Sequence, residues 1–283
     1  MVSGKTLLLA VLGNPITHSL SPIIHNAMLD KLELDFKYIP LALKETSIQS
    51  DFTVLKKTNF KGFNVTVPFK ESILPYLDEF DENVKKIGAS NTILQKENKW
   101  IGFNTDLKGF LYSLENFSSY NLNSKKVVCI GAGGSAKAVC FALLEKSIKA
   151  LTIVNRSEGR LKELIDSVDI YNKSQIDISG LLFSDTSLYT KLADADLVIN
   201  TTPIGMSSHS DLSLLDDYNW VNDHHFCYDL IYSPKKTRFL EKAEEKGARI
   251  QNGLAMLVAQ AAYSFEIFTG NKADFDFMYS KVS

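Results

Sequence analysis

The sequence predicts an α/β protein of two domains, each built around a mainly parallel sheet. Short apolar runs alternate with amphipathic stretches of helical length almost throughout the chain. This alternation is typical of strand–helix–strand units, in which helices cover a parallel sheet. The pattern is interrupted by a polar connector at residues 115–124 and then starts again, and 283 residues are enough for two domains.

The first series of elements occupies residues 1–103. Apolar and β-branched runs predict strands at 7–12, 36–41, 62–67, 92–95 and 100–103. Amphipathic stretches between them predict helices at 22–34, 46–56, 70–77 and 81–87. Pro68 ends the third strand, because proline cannot donate to a sheet.

The second series begins at residue 126. We predict strands at 126–130, 150–154, 196–200 and 226–231, and helices at 134–144 and 158–168. A last, very apolar helix at about 253–268 ends at Gly270, and we expect it to be buried and to return to the first domain. The predicted division is residues 1–105 plus 254–283 for the first domain and 106–253 for the second.

Charge and composition argue against several classes of protein. The 31 basic and 33 acidic residues nearly cancel, so no overall field would hold a nucleic acid or an anionic membrane. The apolar run near the N-terminus has six residues, too few for a signal peptide or a membrane span. Three cysteines in apolar contexts indicate buried free thiols, so we expect a cytoplasmic protein.

The histidines and cysteines show no spacing typical of a metal site, and we predict none. His18 and His25 are seven residues apart with no third ligand nearby, so packing or local hydrogen bonding is the better interpretation. His224 and His225 lie in a polar segment and are interpreted as solvated.

A glycine-rich turn joins the first strand of the second series to its helix. In KVVCIGAGGSAKAV, Gly131 permits a tight turn, Gly133 allows backbone to approach a pyrophosphate, and the small Ala136 lets the helix pack closely. This context is typical of a dinucleotide-binding, Rossmann-type turn. On this motif alone, a glycine-rich turn without a ligand stays an alternative.

The end of the next strand favours NADP over NAD. A NAD site usually has a carboxylate there for the ribose hydroxyls, whereas this chain has Asn155, Arg156 and Ser157. Arg156 and Arg160 offer two permanently charged donors for a 2′-phosphate. Solvated surface arginines are the alternative, but their place in the motif argues against it.

Polar residues of the first half lie where strands end and helices begin. Ser19 and Ser21 could bind a carboxylate, although Ser21 alone is better interpreted as an N-cap. Lys70 lies in the first turn of a helix, where the helix dipole opposes a cation, so its position needs another reason. Asp106 opens a helix and by itself is most simply a capping acid.

Nine ordered segments resemble the shikimate dehydrogenase family over most of the chain. They are GNPITHSLSPIIHN (13–26), FNVTVPFK (63–70), GASNT (88–92), GFNTDLKG (102–109), GAGGSAKAV (131–139), NRS (155–157), NTTPIGM (200–206), YDLIYSP (228–234) and GLAMLVAQA (253–261). The resemblance implies an N-terminal substrate-binding domain and a C-terminal Rossmann domain that binds NADP. It implies reversible reduction of 3-dehydroshikimate to shikimate by NADPH in aromatic amino acid (chorismate) biosynthesis.

The resemblance also assigns roles to individual residues. Residues around the substrate would be Ser19 and Ser21 at its carboxylate, with Thr66, Lys70, Asn91, Asp106, Tyr232 and Gln260. Residues around the cofactor would be Gly131, Ala132, Gly133, Gly134 and Ser135 at the pyrophosphate, Asn155, Arg156, Ser157 and Arg160 at the adenosine end, Leu230 and Gly253 near the nicotinamide, and Glu82 in the cofactor region. The departures Ser90, Lys137 and Phe268 replace a common Val, Arg and Trp, and none removes a polar group from this chemistry.

Lys70 and Asp106 would be the catalytic pair in this reading. Hydride transfer to a ketone carbon places negative charge on the oxygen, which must then be protonated. The Lys70 ammonium can stabilise that oxygen and protonate it, and Asp106 nearby would stabilise the ammonium and fix its direction. The hydride chemistry itself belongs to the nicotinamide.

Two alternatives to this reading stay open. One is a quinate/shikimate dehydrogenase with relaxed cofactor use, because quinate differs from shikimate by a hydroxyl group. The other is a non-catalytic Rossmann binding protein, against which Lys70 and Asp106 argue. We expect a small-molecule substrate, no nucleic-acid or membrane partner, and a monomer or homodimer.

Overall fold

The computed structural model describes residues 3–206 and 212–283 and contains two compact units. The first unit comprises Met1–Phe110 and Leu257–Ser283, and the second comprises Leu111–Met256. Each unit is built on a six-stranded sheet. The structure is therefore an α/β protein with two mainly parallel sheets, as the sequence predicts.

The first unit contains a mixed sheet with helices between its strands. Its strands are β1 (Leu7–Gly13), β2 (Phe36–Ala42), β3 (Phe60–Val65), β4 (Glu79–Phe80), β5 (Thr92–Lys96) and β6 (Lys99–Phe103), in the order β2-β1-β3-β5-β6-β4. Its helices are α1 (Ser21–Lys31), α2 (Ile48–Leu55), α3 (Phe69–Ser72), α4 (Glu82–Ile87) and α5 (Asp106–Tyr112), with 3-10 turns at Glu45–Ser47 and Leu74–Tyr76. The β3–β5 and β5–β6 pairs are antiparallel.

The second unit contains a fully parallel sheet in the order β12-β11-β10-β7-β8-β9. Its strands are β7 (Lys126–Ile130), β8 (Ala150–Asn155), β9 (Asp177–Leu182), β10 (Leu197–Asn200), β11 (Phe226–Asp229) and β12 (Arg249–Gln251). Its helices are α6 (Gly134–Leu144), α7 (Glu158–Asp169), α8 (Leu188–Ala193) and α9 (Arg238–Glu245), with a π-helical turn at Ser113–Phe117. Helix α10 (Leu254–Thr269) begins in this unit and ends in the first, and α11 (Phe275–Tyr279) follows it.

The sheet of the first unit has a core on each face. Alternate residues of a strand point to opposite faces, so Leu9 and Val11 of β1 join one cluster and Ala10 and Leu12 join the other. The first cluster includes Phe265 of α10, which is fully buried. The apolar α10 is therefore a core helix, as its composition predicts.

Strand registers place the carboxyl ends of the second sheet side by side. Asn200, the last residue of β10, lies opposite Ile130 of β7 and Asp229 of β11, and Ile130 lies opposite Val154 of β8. In open parallel sheets this edge is where ligands bind.

Several predicted elements have the observed bounds, and others were missed. Strand β7 and helix α6 coincide with their predicted ranges. Six elements were not predicted from the sequence, namely β4, β9, α8, α9, β12 and α11. Strand β9 lies at the sheet edge and most of its residues are only half-buried, so it lacks a continuous apolar run.

The prediction for one of the histidines is wrong. His225 is buried rather than solvated, since it stands immediately before β11, packs edge-on against Trp220, and has Nε2 3.1 Å from the Leu192 carbonyl. His224 is exposed, as predicted. His25 packs in the core, as predicted: its ring stacks on Tyr38 with centroids 4.2 Å apart, and burial lowers its pKa to about 3.

The three cysteines are buried free thiols. Across residues 3–206 and 212–283, no helix has the length and apolar character needed to cross a bilayer. In the same part of the chain, no group of three or more His, Cys, Asp or Glu side chains is arranged to hold a metal ion.

Candidate active site

Lys70 and Asp106 form a buried ion pair in the first unit. Lys70 lies on α3, just after β3, and Asp106 is the first residue of α5, after β6. The Lys70 Nζ donates to Asp106 Oδ2 at 2.7 Å, and the side chains are only 14% and 6% exposed. Charge-assisted hydrogen bonds of this kind are strong and directional. The ion pair with Asp106 explains why a cation stands at this position, where the helix dipole opposes it.

Asn91 fixes the carboxylate of Asp106 from the other side. Its Nδ2 lies 2.8 Å from Asp106 Oδ1 and 3.2 Å from Gln260 Oε1, and its Oδ1 accepts from the Thr105 N–H at 2.8 Å. Both carboxylate oxygens of Asp106 are thus engaged, one by Asn91 and one by Lys70. The charge that faces Lys70 is held in one orientation.

Two residues that sequence reasoning took as helix caps have other roles. The backbone N–H of Asp106 bonds to Asn104 Oδ1 at 3.1 Å, while the Asp106 carboxylate bonds to Lys70 and Asn91, so the interpretation as a capping acid is wrong. Ser21 is not an N-cap either, because Leu20 occupies that position and α1 begins without a side-chain cap. Capping therefore does not explain Ser21.

The remaining polar residues predicted for the first unit follow the same sheet edge. Ser19 is half-buried and its Oγ accepts from the N–H of the buried Ser21 at 3.3 Å. Thr66 follows β3, is half-buried, and donates its N–H to the Leu12 carbonyl of β1 at 2.9 Å. Because β1 and β3 are parallel, with Leu12 opposite Val65, the segments that carry these residues leave the sheet at one edge.

A polar network beneath this edge was not predicted from the sequence. Buried Asn64 of β3 accepts from the Tyr38 hydroxyl at 2.7 Å and donates to the Asn91 carbonyl at 3.1 Å and to Thr92 Oγ1 at 3.0 Å. The network ties the backbone of Asn91 to the centre of the sheet. An available signal was the amide side chain at a buried position of an otherwise apolar strand, FKGFNV.

The glycine-rich turn of the second unit has the geometry of an anion-binding turn. Gly131 adopts a φ of +121°, and a Cβ there would collide with the Thr201 hydroxyl. Gly133 is the N-cap of α6, and a Cβ on it would meet nothing within 4 Å, so there is open space beside this residue at the helix N-terminus. Ala132 and Ala136 are buried, and Gly134 and Ser135 form the first turn of α6.

Two exposed arginines stand at the end of β8. Asn155 ends the strand and its Nδ2 donates to the Ser157 carbonyl at 3.0 Å, while Ser157 is the N-cap residue of α7. In the described part of the chain, neither Arg156 nor Arg160 has an ion-pair partner. Only four of the 31 basic residues are arginines, and two of them lie here. Both guanidinium groups are available to an anion.

Leu230 and Gly253 approach each other in the second unit. The Gly253 N–H bonds to the Ile231 carbonyl at 3.1 Å, and a Cβ on Gly253 would collide with the backbone of Leu230. Only glycine permits this approach. Tyr232 follows in the same segment, and burial raises its pKa.

Glu82 differs from the other residues predicted to contact the cofactor. It lies on α4 of the first unit, whereas the others belong to the second. Its carboxylate is exposed and accepts from Lys85 Nζ at 2.7 Å, which lowers its pKa.

These features define a class of protein. A parallel sheet with a glycine turn after β7 is a Rossmann-type dinucleotide-binding unit, and its companion is an α/β unit with a buried Lys–Asp pair. The class is that of two-domain nicotinamide-dependent oxidoreductases.

Family profiles match in three stretches: "Shikimate dehydrogenase substrate binding domain" at residues 11–93, "Shikimate / quinate 5-dehydrogenase" at 113–207 and "Shikimate 5'-dehydrogenase C-terminal domain" at 253–282. The chain belongs to the shikimate dehydrogenase family.

Relatives and solved structures extend over nearly the whole chain. The shikimate dehydrogenase (NADP(+)) of Methanosphaera stadtmanae is 38% identical over 277 residues, which is 98% of this chain and 96% of the relative. The structure of shikimate 5-dehydrogenase from Thermus thermophilus, in complex with NADP(H) and shikimate, is 32% identical, with a TM-score of 0.85 and 97% and 98% of the two chains covered. Quinate dehydrogenase from Corynebacterium glutamicum in complex with NAD is 27% identical, with a TM-score of 0.87 and 98% of each chain covered.

Proposed function

We propose that this chain catalyses the reversible, NADP-dependent reduction of 3-dehydroshikimate to shikimate, a step of aromatic amino acid biosynthesis. The observation that carries the proposal is the buried Lys70–Asp106 pair in a family whose curated relatives bear this activity in their names. The pair provides the proton donor that ketone reduction requires.

Lys70 acts on the reacting oxygen. Its ammonium stabilises the negative charge that grows on the ketone oxygen and then delivers the proton. Asp106 orients the Lys70 ammonium, because Asn91 fixes the position of the Asp106 carboxylate. The reverse reaction uses Lys70 as the base that receives the hydroxyl proton.

The proposal assigns substrate binding to the other predicted residues. Ser19 and Ser21 hold the substrate carboxylate through their hydroxyl groups, which capping does not occupy. Further contacts to the substrate hydroxyl groups come from Thr66, Asn91, Gln260 and Tyr232. Gln260 is oriented for this by the bond from its Nε2 to the Leu257 carbonyl at 2.7 Å.

The residues of the second unit fit NADP. The turn from Gly131 to Ser135 leads into the N-terminus of α6, where the pyrophosphate would bind, and Gly133 leaves space beside it. Asn155, Arg156, Ser157 and Arg160 take the adenosine end, and the two guanidinium groups suit a 2′-phosphate. Leu230 and Gly253 lie near the nicotinamide. Bound NADPH supplies the hydride, which protein side chains cannot. Glu82 is the least supported of the cofactor residues, since its carboxylate is already bonded to Lys85.

A second candidate function is quinate oxidation. The likeness to the quinate dehydrogenase structure, which was solved with NAD, favours it. The free Arg156 and Arg160 favour NADP instead, because NAD has no phosphate at that position. Steady-state rates with shikimate and quinate, each with NADP+ and NAD+, decide between the two, and the proposal requires the shikimate and NADP+ pair to have the highest kcat/KM.

Activity in that assay also separates an enzyme from a non-catalytic binding protein of the same fold. Cytoplasmic residence, suggested by the three buried thiols, and assembly as a monomer or homodimer stay predictions. Size-exclusion chromatography with light scattering tests the assembly.

A further inference from the structure

Asp229 is a fully buried carboxylate at the end of β11. Its Oδ1 accepts from the Ile231 N–H and from Asn200 Nδ2, both at 3.0 Å, and its Oδ2 accepts from the Thr237 hydroxyl at 2.6 Å. All three donors are neutral. Throughout residues 3–206 and 212–283, no basic side chain pairs with Asp229.

Burying a carboxylate in this way lowers the stability of the folded protein. An ion buried without a counter-ion loses hydration that neutral donors replace only in part. Burial accordingly raises the pKa of Asp229 to about 6, against the opposing effect of its hydrogen bonds. Burial of a neutral amide would cost less free energy than burial of a carboxylate. An amide has only one acceptor oxygen, however, whereas three donors bond to the two oxygens of Asp229.

The hydrogen bonds of Asp229 tie together the segments that follow β10 and β11. Asn200, held by Asp229, accepts from the Thr202 N–H at 2.9 Å and donates to the Ile204 carbonyl at 3.2 Å. Ile231, held by Asp229, accepts from the Gly253 N–H at 3.1 Å. Residues 201–206 after β10 and residues 230–237 after β11 therefore depend on one carboxylate.

Thr237 extends the same network to helix α9. Its hydroxyl donates to Asp229 and accepts from the Leu240 N–H at 3.4 Å, so it caps the helix as it anchors the carboxylate. Gly205, with a φ of +104°, packs beside Thr237, because a Cβ there would lie 3.3 Å from the threonine side chain.

The sheet order indicates which half of a dinucleotide these loops face. The pyrophosphate belongs at the glycine turn after β7, and the adenosine end belongs at the end of β8. Strands β10 and β11 lie on the other side of β7. An extended dinucleotide therefore places its nicotinamide half over the carboxyl ends of β10 and β11.

We propose that Asp229 is a positioning residue for the nicotinamide half of the cofactor, an inference that rests on the proposed function. Through Asn200, Ile231 and Thr237 it holds two loop segments, residues 201–206 and 230–237, in the conformation that receives the ring. It acts through the backbone of these loops rather than on the reacting atoms. A misplacement of about 1 Å at such a site can cost about 100-fold in rate.

The test compares Asp229→Asn with the matched control Asp196→Asn. Asp196 precedes β10 at the opposite end of the same sheet, where it accepts from the Lys126 N–H at 2.8 Å and from Lys125 Nζ at 2.9 Å. Binding of NADP+ and of adenosine 2′,5′-bisphosphate, which lacks the nicotinamide half, is measured by calorimetry at pH 7.5 or above. We expect Asp229→Asn to raise the Kd of NADP+ by about tenfold or more and to lower kcat, with the Kd of the fragment unchanged. The control keeps both Kd values.

Two outcomes would overturn the inference: unchanged NADP+ binding in Asp229→Asn, or an equal loss for NADP+ and the fragment, which would mean general support of the unit. If Asp229→Asn does not fold, Thr237→Val replaces it, and the same selective loss is required, with recovery in Thr237→Ser. The titrations do not depend on turnover. Failure of the proposed function would instead appear as a wild-type chain that binds NADP+ but does not reduce it with shikimate.

Discussion

The ammonium of Lys70 lies 2.7 Å from Asp106 Oδ2, although 36 residues separate the two in the chain. The pair is nearly buried, and the second oxygen of Asp106 bonds to Asn91. A buried ion pair is weak support for stability, because desolvation of both charges offsets most of their attraction. The presence of this pair at the sheet edge therefore points to chemistry rather than to folding.

Replacing Lys70 with Ala should abolish most turnover and leave the KM of shikimate largely unchanged. The ammonium acts mainly on charge that develops in the transition state, and loss of a positioned acid costs about 10² to 10⁴ in kcat. Lys61→Ala is the control, because Lys61 lies on β3, the strand that precedes Lys70, and bonds instead to the Gln95 carbonyl at 2.7 Å. Steady-state kinetics on folded protein measures the effect. Near-normal kcat with a raised KM would make Lys70 a binding residue.

The double variant Ser19→Ala with Ser21→Ala should raise the KM of shikimate more than it lowers kcat. The two hydroxyl groups would hold the carboxylate equally in the ground and transition states, and uniform binding affects mainly KM. Ser47→Ala with Ser50→Ala is a control of equal size, since those hydroxyl groups bond to Asp51 and to the Ser47 carbonyl. An unchanged KM in the first variant would argue against the carboxylate site.

Removing the side chains of Arg156 and Arg160 should raise the KM of NADP+ and leave the KM of NAD+ almost unchanged. Charge-assisted hydrogen bonds contribute about 1.5 to 3 kcal/mol each, and exposure and salt reduce this, so we expect an increase of about 10- to 1,000-fold. The effect should shrink as ionic strength rises.

The control for this variant is Lys162→Ala with Arg238→Ala, which removes the same number of charges from exposed sites on α7 and α9. Equal losses for NADP+ and NAD+ in the Arg156 and Arg160 variant would mean that the arginines support the adenine pocket or the fold. A wild-type protein that prefers NAD+ would contradict the assignment of the cofactor.

Asp229 should make the stability of the protein depend on pH between about 4 and 6. Burial raises its pKa from 3.8 to about 6, so the folded state binds more protons than the unfolded state in that window, and stability falls as pH rises. A difference of about two units corresponds to about 3 kcal/mol. The free energy of unfolding of Asp229→Asn, relative to that of the wild type, should therefore rise by up to this amount between pH 4 and pH 7. Urea unfolding at a series of pH values measures it.

Asp196→Asn should show the opposite trend. Burial alone would raise the Asp196 pKa, but the bonds from Lys126 and Lys125 outweigh it and lower the pKa. The stability that Asp196 contributes is present at neutral pH and is lost as pH falls through its folded pKa. Parallel pH trends in the two variants would contradict the contrast between these carboxylates.

Local sequence patterns were sufficient for much of the fold. The apolar run Lys126–Ile130 and the glycine-led helix Gly134–Leu144 were predicted at their observed bounds, because apolar periodicity and glycine signals coincide there. Helix α9 was missed although Thr237 caps it, since its charged sequence RFLEKAEE places only a narrow apolar stripe in the core. Packing against β11 and β12, rather than composition, stabilises such elements.

The candidate site was predicted only in part, for a physical reason. From their own sequence contexts, Lys70 and Asp106 had separate interpretations. Only the family resemblance predicted that the two form a pair, because local spacing does not show which distant residues meet in the fold. Asn64 and Asp229 were not identified. Each is a polar residue at or next to the end of an apolar strand, and its importance lies in the donors that folding brings to it.

The central claim is tested most directly by the absorbance of reduced nicotinamide when the wild-type protein is mixed with shikimate and NADP+. We predict a rise in that absorbance band that requires both compounds, is strongest for the shikimate and NADP+ pair, and is nearly absent in Lys70→Ala. Folded wild-type protein that produces no NADPH from shikimate, or a Lys70→Ala variant that produces it equally well, would contradict the proposed function.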